Sequence, residues 1–198
     1  MRINQIIVIY LFLIKNIINK ISLINMIRNF VRGLIDGILT AFGIVIGASV
    51  SGSNHIVIIT AITGGIADCF GNLASAVTAE SADVYKEISE LEKKMMIDKK
   101  EIKSLRLFKK KIKETYIRSI VDGVSTLFGV IIPIFPFLIF DINLALQIST
   151  LISISFLFLL GMCIGKISKE NMLKLGIKTF VFGVAAAIVC FLLTKFFR

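Results

Sequence analysis

A chain of 198 residues that is 56% hydrophobic, with a mean hydropathy of +0.89, is too apolar for a water-soluble domain. Its net charge of +10 does not mark a nucleic-acid binder, because the lysines and arginines fall between apolar runs and no aromatic–basic platform accompanies them. Cys69, Cys163 and Cys190 stand apart inside apolar runs without a CxxC pair, so no disulfide frame or zinc site is indicated.

In chain order, residues 1–31 come first. The apolar run Ile6 to Ile14 is short of a crossing and is followed by Lys15, Lys20 and Arg28; a bilayer takes about 20 mostly apolar residues. No small-residue cleavage site follows it, so a signal peptide is not indicated. The pattern predicts an interfacial amphipathic helix, with an extra span as the alternative. Residues 32–79 hold two transmembrane helices, at about 34–49 and 56–79, joined by the uncharged turn 49–55. On the first, Gly33, Asp36, Thr40, Gly43 and Gly47 follow helical spacing and share one small, polar face, with Leu34, Ile38 and Val45 opposite. On the second, Ala61, Gly65, Asp68, Asn72, Ser75, Ala76 and Ala79 form the matching face, and Ile58, Ile62, Ile66, Phe70, Leu73 and Val77 point away. Two such faces are expected to pack together.

Residues 80–118 are charged but helical in pattern, with Ile88, Leu91, Met95, Ile102, Leu105 and Ile112 at three- and four-residue steps. Asp98-Lys-Lys-Glu101 has the form of a capping box, which predicts a helical hairpin with a break just before it. Residues 119–198 hold three more spans, at about 120–140, 144–167 and 176–197. Pro133 and Pro136 break or kink the third near its end. The expected fold is therefore an all-α membrane protein of five transmembrane helices with a cytoplasmic helical hairpin.

The third span opens with RSIVDGVSTLFG, which aligns with RGLIDGILTAFG of the first at an offset of 86 residues. Arg32 falls on Arg118, Asp36 on Asp122, Gly37 on Gly123, Thr40 on Thr126, Phe42 on Phe128 and Gly43 on Gly129. Six identities in twelve positions argue for an internal repeat, a device common in transporters, whose sites lie between the halves. The basic segments before the first span, in the hairpin and at 166–178 share one side if the N-terminus is cytoplasmic.

A carboxylate inside a span costs about 3 kcal/mol on insertion scales unless it meets protein, water or a cation. Asp36 and Asp122, at equivalent depths, each either cap a helix and pair with the arginine four residues back, or line a hydrophilic path. Asp68 and Asn72, one turn apart on the small face, favour the path. Carboxylate oxygens with an amide carbonyl suit hard or borderline divalent cations, and the carboxylates could also carry a proton. Cys69 reads more simply as a buried apolar thiol, and the single histidine, His55, as solvated or interfacial. In the hairpin, Glu80, Asp83, Glu87 and Glu90 share one face. They form either a solvated surface or a cation-collecting site. No hydrolase, Walker or dinucleotide motif is present, so no enzyme activity is expected.

IDGILTAFGIVIGA in the first span and GVIIPIFPF in the third, with a Gly/Ala-rich second span running into an acidic helix, resemble the vacuolar iron transporter family across about residues 32–198. The resemblance implies a five-span homodimer with its ion path at the dimer interface, exporting ferrous iron, and often manganese, from the cytosol in exchange for protons. It implies that Asp36 is the essential aspartate of the first span and that Glu87 and Glu90, in an ExxE step, are metal ligands. The chain departs from the family pattern in its second span, where Cys69 stands near the place of a methionine ligand, and in a short cytoplasmic part with a basic second helix.

The expected function is thus a divalent metal transporter, Fe²⁺ first and Mn²⁺ second, with Asp36, Asp68, Asn72, Glu80, Glu87, Glu90 and Asp122 as candidate metal residues. It needs no bound cofactor; its expected partners are membrane lipid, the metal ion, protons and a second copy, and not nucleic acid. The rival is a non-transporting membrane scaffold whose basic hairpin binds anionic lipid or a soluble partner; a membrane enzyme of lipid metabolism is a weaker third.

Overall fold

The computed structural model describes residues 2–95 and 106–196. Among these described residues are five α-helices, α1 (Arg2–Ala48), α2 (Asn54–Met95), α3 (Arg106–Ile134), α4 (Ile142–Ser168) and α5 (Met172–Phe196). No strand occurs among the described residues. Each helix carries a stretch long and apolar enough to cross a membrane: Met26–Ser51, Asn54–Asp83, Tyr116–Leu138, Ile142–Ser168 and Met172–Phe196. The five-span, all-helical architecture expected from hydropathy is therefore present. Helix α1 is unbroken for 47 residues, so the basic N-terminal stretch is continuous with the first span. Helices α2 and α3 extend beyond their spans, to Met95 and from Arg106; the expected hairpin turn with its capping box, Asp98 to Glu101, lies outside the described residues.

Helix α1 is the hub. It touches all four other helices, and its most extensive contact is with α3. Ile38, Ala41, Phe42, Val45 and Ile46 are all fully buried, so the side of α1 opposite its glycines is covered too. The sequence pattern placed Leu34, Ile38 and Val45 on a face turned away from the packed one. In the fold, α2 and α3 share a core cluster with Ala41 and Val45, while Phe42 and Ile46 pack with Ala187 of α5. Helix α2 follows its expected division more closely: Val57, Ala61 and Ala76 are buried, and Ile62, Ile66 and Phe70 are exposed. Exposed isoleucines and phenylalanines at these positions suit a lipid-facing surface.

Small residues let α1 and α3 approach. A Cβ at Gly37 would overlap the Thr126 carbonyl, with the carbonyl carbon 2.8 Å away, so only glycine fits. Likewise a Cβ at Gly161 of α4 would lie 3.0 Å from the Cα of Gly176 in α5. In lipid, where association rests on van der Waals contact rather than on expelling water, such close crossings hold helices together.

One end of the bundle is tied by hydrogen bonds to backbone carbonyls. A single 3₁₀ turn, Ser49–Ser51, ends in Gly52 at φ 70° and turns the chain into α2. Asn54 Nδ2 donates to the carbonyls of Phe137 (3.1 Å) and Phe140 (2.9 Å), acceptors that the broken end of α3 leaves without helical partners. Pro133 sits in the last turn of α3 and a second 3₁₀ turn, Phe135–Leu138, follows. Buried Ser149 of α4 donates to the Pro133 carbonyl at 2.7 Å. The expected break at the two prolines is present, and its exposed acceptors are met by side chains of α2 and α4. At the opposite end, Lys169 at φ 57° closes α4, and Asn171 Oδ1 accepts the N–H of Leu173 at the start of α5.

Candidate functional site at the crossing of α1 and α3

The chain reverses between successive spans, so α1 and α3 run the same way through the bundle. Their contacts pair Gly33 with Asp122 and Ser125, Gly37 with Thr126, and Ile38 with Gly129. This register is displaced by about one helical turn from the 86-residue offset of the sequence repeat. Arg32, rather than Asp36, therefore lies level with Asp122.

The consequence is a forked ion pair. Arg32 Nη2 donates to Asp122 Oδ2 at 2.5 Å and Nε to Oδ1 at 3.3 Å. The Asp122 side chain is 3% exposed and that of Arg32 53%, so the guanidinium reaches in from a half-open position to a buried carboxylate. Asp122 is thus paired with the arginine of another span, a partner that the alternatives weighed from the sequence did not include.

Asp36 is half-buried and makes no hydrogen bond or ion pair among the described residues. It stands between Gly33 and Gly37, whose neighbours across the α1–α3 crossing are Asp122, Ser125 and Thr126. Asp68, on α2, contributes a buried Oδ2 with no hydrogen-bond partner, an arrangement that a polar group in a fold normally avoids. Asn72, one turn further, donates to Thr126 Oγ1 at 3.2 Å, and Thr126 donates to the Asp122 carbonyl at 3.0 Å. Cys69 is half-buried, and a Cβ at Gly123 would lie 3.1 Å from its carbonyl oxygen.

Of the candidates, Asp36 and Asp122 lie at the crossing of α1 and α3, and Asn72, one turn from Asp68 on α2, meets Thr126 of α3. Glu90 is exposed on the extension of α2; the side chains of Glu80 and Glu87 lie outside the described set. Among the described residues, no three His, Cys, Asp or Glu could hold a metal ion within one chain. A groove of about 610 Å³ between α4 and α5, lined by Ser155, Phe158, Leu159, Ile177, Phe180 and Val181, includes none of the carboxylates. Two participants were not among the sequence candidates. Arg32 was weighed only as a partner for Asp36, and Thr126 only as an identity in the repeat. The signal available was Arg-x-x-x-Asp in both spans, which shows that a guanidinium accompanies each aspartate but not which one it meets.

These features define an integral, multi-pass membrane protein with aspartates on three of its packed spans. The chain belongs to the VIT family, which it matches over residues 27–121 and 73–195, and the resemblance carried by its first- and third-span motifs is thereby shown. Members of this family are membrane metal transporters and not enzymes. The chain is also similar to an uncharacterized protein of Methanocaldococcus jannaschii, 44% identical over 184 residues that cover 93% of this chain and 96% of the relative.

Proposed function

We propose that this protein exports Fe²⁺, with Mn²⁺ as a second substrate, from the cytosol in exchange for protons. The observation that carries the reading is that Asp36 and the buried Oδ2 of Asp68, on two different spans, have no hydrogen-bonding partner among the described residues. Unpaired acids at membrane depth are costly and mark ion paths, and oxygen donors suit these cations. Asp36 and Asp68 bind the ion, Asn72 adds its amide oxygen, and Asp122 completes the acidic group while held by Arg32. Glu87 and Glu90, three residues apart on α2, with Glu80 seven residues before Glu87, gather metal where that helix leaves the membrane. The same carboxylates take up the counter-moving proton once the metal has left.

The family's ion path at a dimer interface, which the resemblance implies, supports a homodimer whose second copy adds ligands to those of the first. The positions of the lysines and arginines support a cytoplasmic N-terminus and a cytoplasmic hairpin at 80–118, with 1–31 on the same side. The family membership and the unpartnered acids favour transport over a scaffold role. In proteoliposomes with an acidic lumen, Fe²⁺ or Mn²⁺ should enter, and a protonophore should slow entry. Asp36→Ala should lower the flux by at least about tenfold. Equal flux for wild type and Asp36→Ala would reject the assigned role, and anionic-liposome binding without any metal flux would favour the scaffold.

A further inference from the structure

The groove between α4 and α5 holds about 610 Å³, within the range of about 300–1,000 Å³ found for ligand clefts. Phe158 and Phe180 meet edge to face in its lining, their ring centroids 6.4 Å apart, and Leu159, Ile177 and Val181 are exposed along it. Both walls lead to a basic rim. Lys166 stands seven residues beyond Leu159 on α4, and Lys174 seven residues before Val181 on α5. Seven residues make two turns, so each lysine shares the side of its helix that lines the groove, about 10 Å nearer the connection between the helices. Lys178 lies one turn from Lys174, and all three lysines are exposed. Within 166–178 the acid is Glu170, against these three and Lys169, so the rim is positive. We infer that the groove is a binding site for one anionic phospholipid, with an acyl chain along Leu159 and Val181 and its phosphate at Lys166, Lys174 and Lys178. Lysines at the edge of a span reach to the level of lipid phosphates, and the apolar trough directly beneath them takes the chain that the phosphate carries. A second copy fits the face less well, because a two-fold contact centred there sets the lysines of one copy against those of the other. The chain reverses between spans, so this lipid belongs to the leaflet on the side where α3 begins. The groove includes none of the aspartates, so the lipid is a partner additional to the transported ion.

The test titrates the full chain in detergent with phosphatidylglycerol or with phosphatidylcholine of the same acyl chains, and counts bound lipid by native mass spectrometry. Wild type should take its first phosphatidylglycerol at least about tenfold more tightly than its first phosphatidylcholine. The triple variant Lys166→Gln/Lys174→Gln/Lys178→Gln should erase that preference. Lys113→Gln removes an exposed lysine of α3 away from the groove and should leave the preference intact. Val181→Trp fills the groove from an exposed position and should weaken the first binding step of both lipids at least about fivefold. Inorganic phosphate at the same concentration, a headgroup charge without a chain, should not displace the lipid. If the triple variant does not fold, Lys174→Gln/Lys178→Gln and Val181→Trp still separate the rim from the trough. Equal affinity of wild type for the two lipids, or a preference that survives loss of the lysines, would overturn the inference. So would Lys113→Gln acting as strongly as the triple variant, Val181→Trp binding like wild type, or displacement by free phosphate. Efficient cross-linking of two copies through Val181→Cys in a membrane would also overturn it, since the face would then be covered by protein.

Discussion

Arg32 holds Asp122, ninety positions further along the chain, while Asp36, one turn from Arg32 on the same helix, has no ion pair among the described residues. Two aspartates at equivalent places in a repeated sequence thus occupy different electrostatic situations. The difference arises from the axial displacement of α1 against α3, and the following expectations depend on it.

Breaking the pair should cost stability. Removing one partner of a buried ion pair costs about 3–5 kcal/mol, and the half-exposed position of Arg32 reduces that through screening. Arg32→Ala is therefore expected to destabilise by about 2 kcal/mol, read as a lower midpoint of thermal unfolding in detergent. Arg32→Lys should recover only part of the loss, since an ammonium cannot reproduce the two-nitrogen fork.

Asp68 should show the reverse relation between stability and function. Its buried Oδ2 lacks a partner, and an unsatisfied buried group costs about 1–3 kcal/mol. Asp68→Asn removes the charge at nearly constant volume, so the melting midpoint should rise while Mn²⁺ flux falls. A fall in both would mean that Asp68 is structural.

The glycine crossing gives a steric test with an internal control. At Gly37 an added side chain meets the backbone of Thr126, whereas at Gly47 nothing lies within 4 Å. Gly37→Val should part α1 from α3 and abolish both folding yield and flux. Gly47→Ala should be tolerated, with stability within about 0.5 kcal/mol of wild type. Equal tolerance at both positions would contradict the packing described for α1 and α3.

Asn54 should matter although it lies at the other end of the bundle. Its two hydrogen bonds to Phe137 and Phe140 are each worth about 1 kcal/mol. Asn54→Ala is expected to lower stability by about 2 kcal/mol, measured by urea or thermal unfolding, and Asn54→Asp should do the same because a carboxylate offers those carbonyls no donor.

The five crossings and their turns were legible from hydropathy, because runs such as Ile142 to Ile167 have no soluble explanation. The central place of α1 was not. In a membrane, a side chain that faces lipid and one that faces a neighbouring helix can be equally apolar, so Ile38 and Val45, which are buried, look the same in sequence as Ile62 and Phe70, which are exposed. Polar positions were more informative: Asp36, Asp68 and Asp122 were singled out because acids are rare at such depths, and one of them, Asp122, proves to be a buried half of an ion pair. The partner of Asp122 could not be read, because it depends on how far one helix slides along another.

The hydrogen bonds from Asn54 and Ser149 to the carbonyls at the end of α3 lie at the opposite end of the bundle from Arg32 and Asp122. Carbonyls satisfied by side chains need no water, so a chain break at that end can lie at the edge of the hydrocarbon without leaving a bare backbone acceptor in oil.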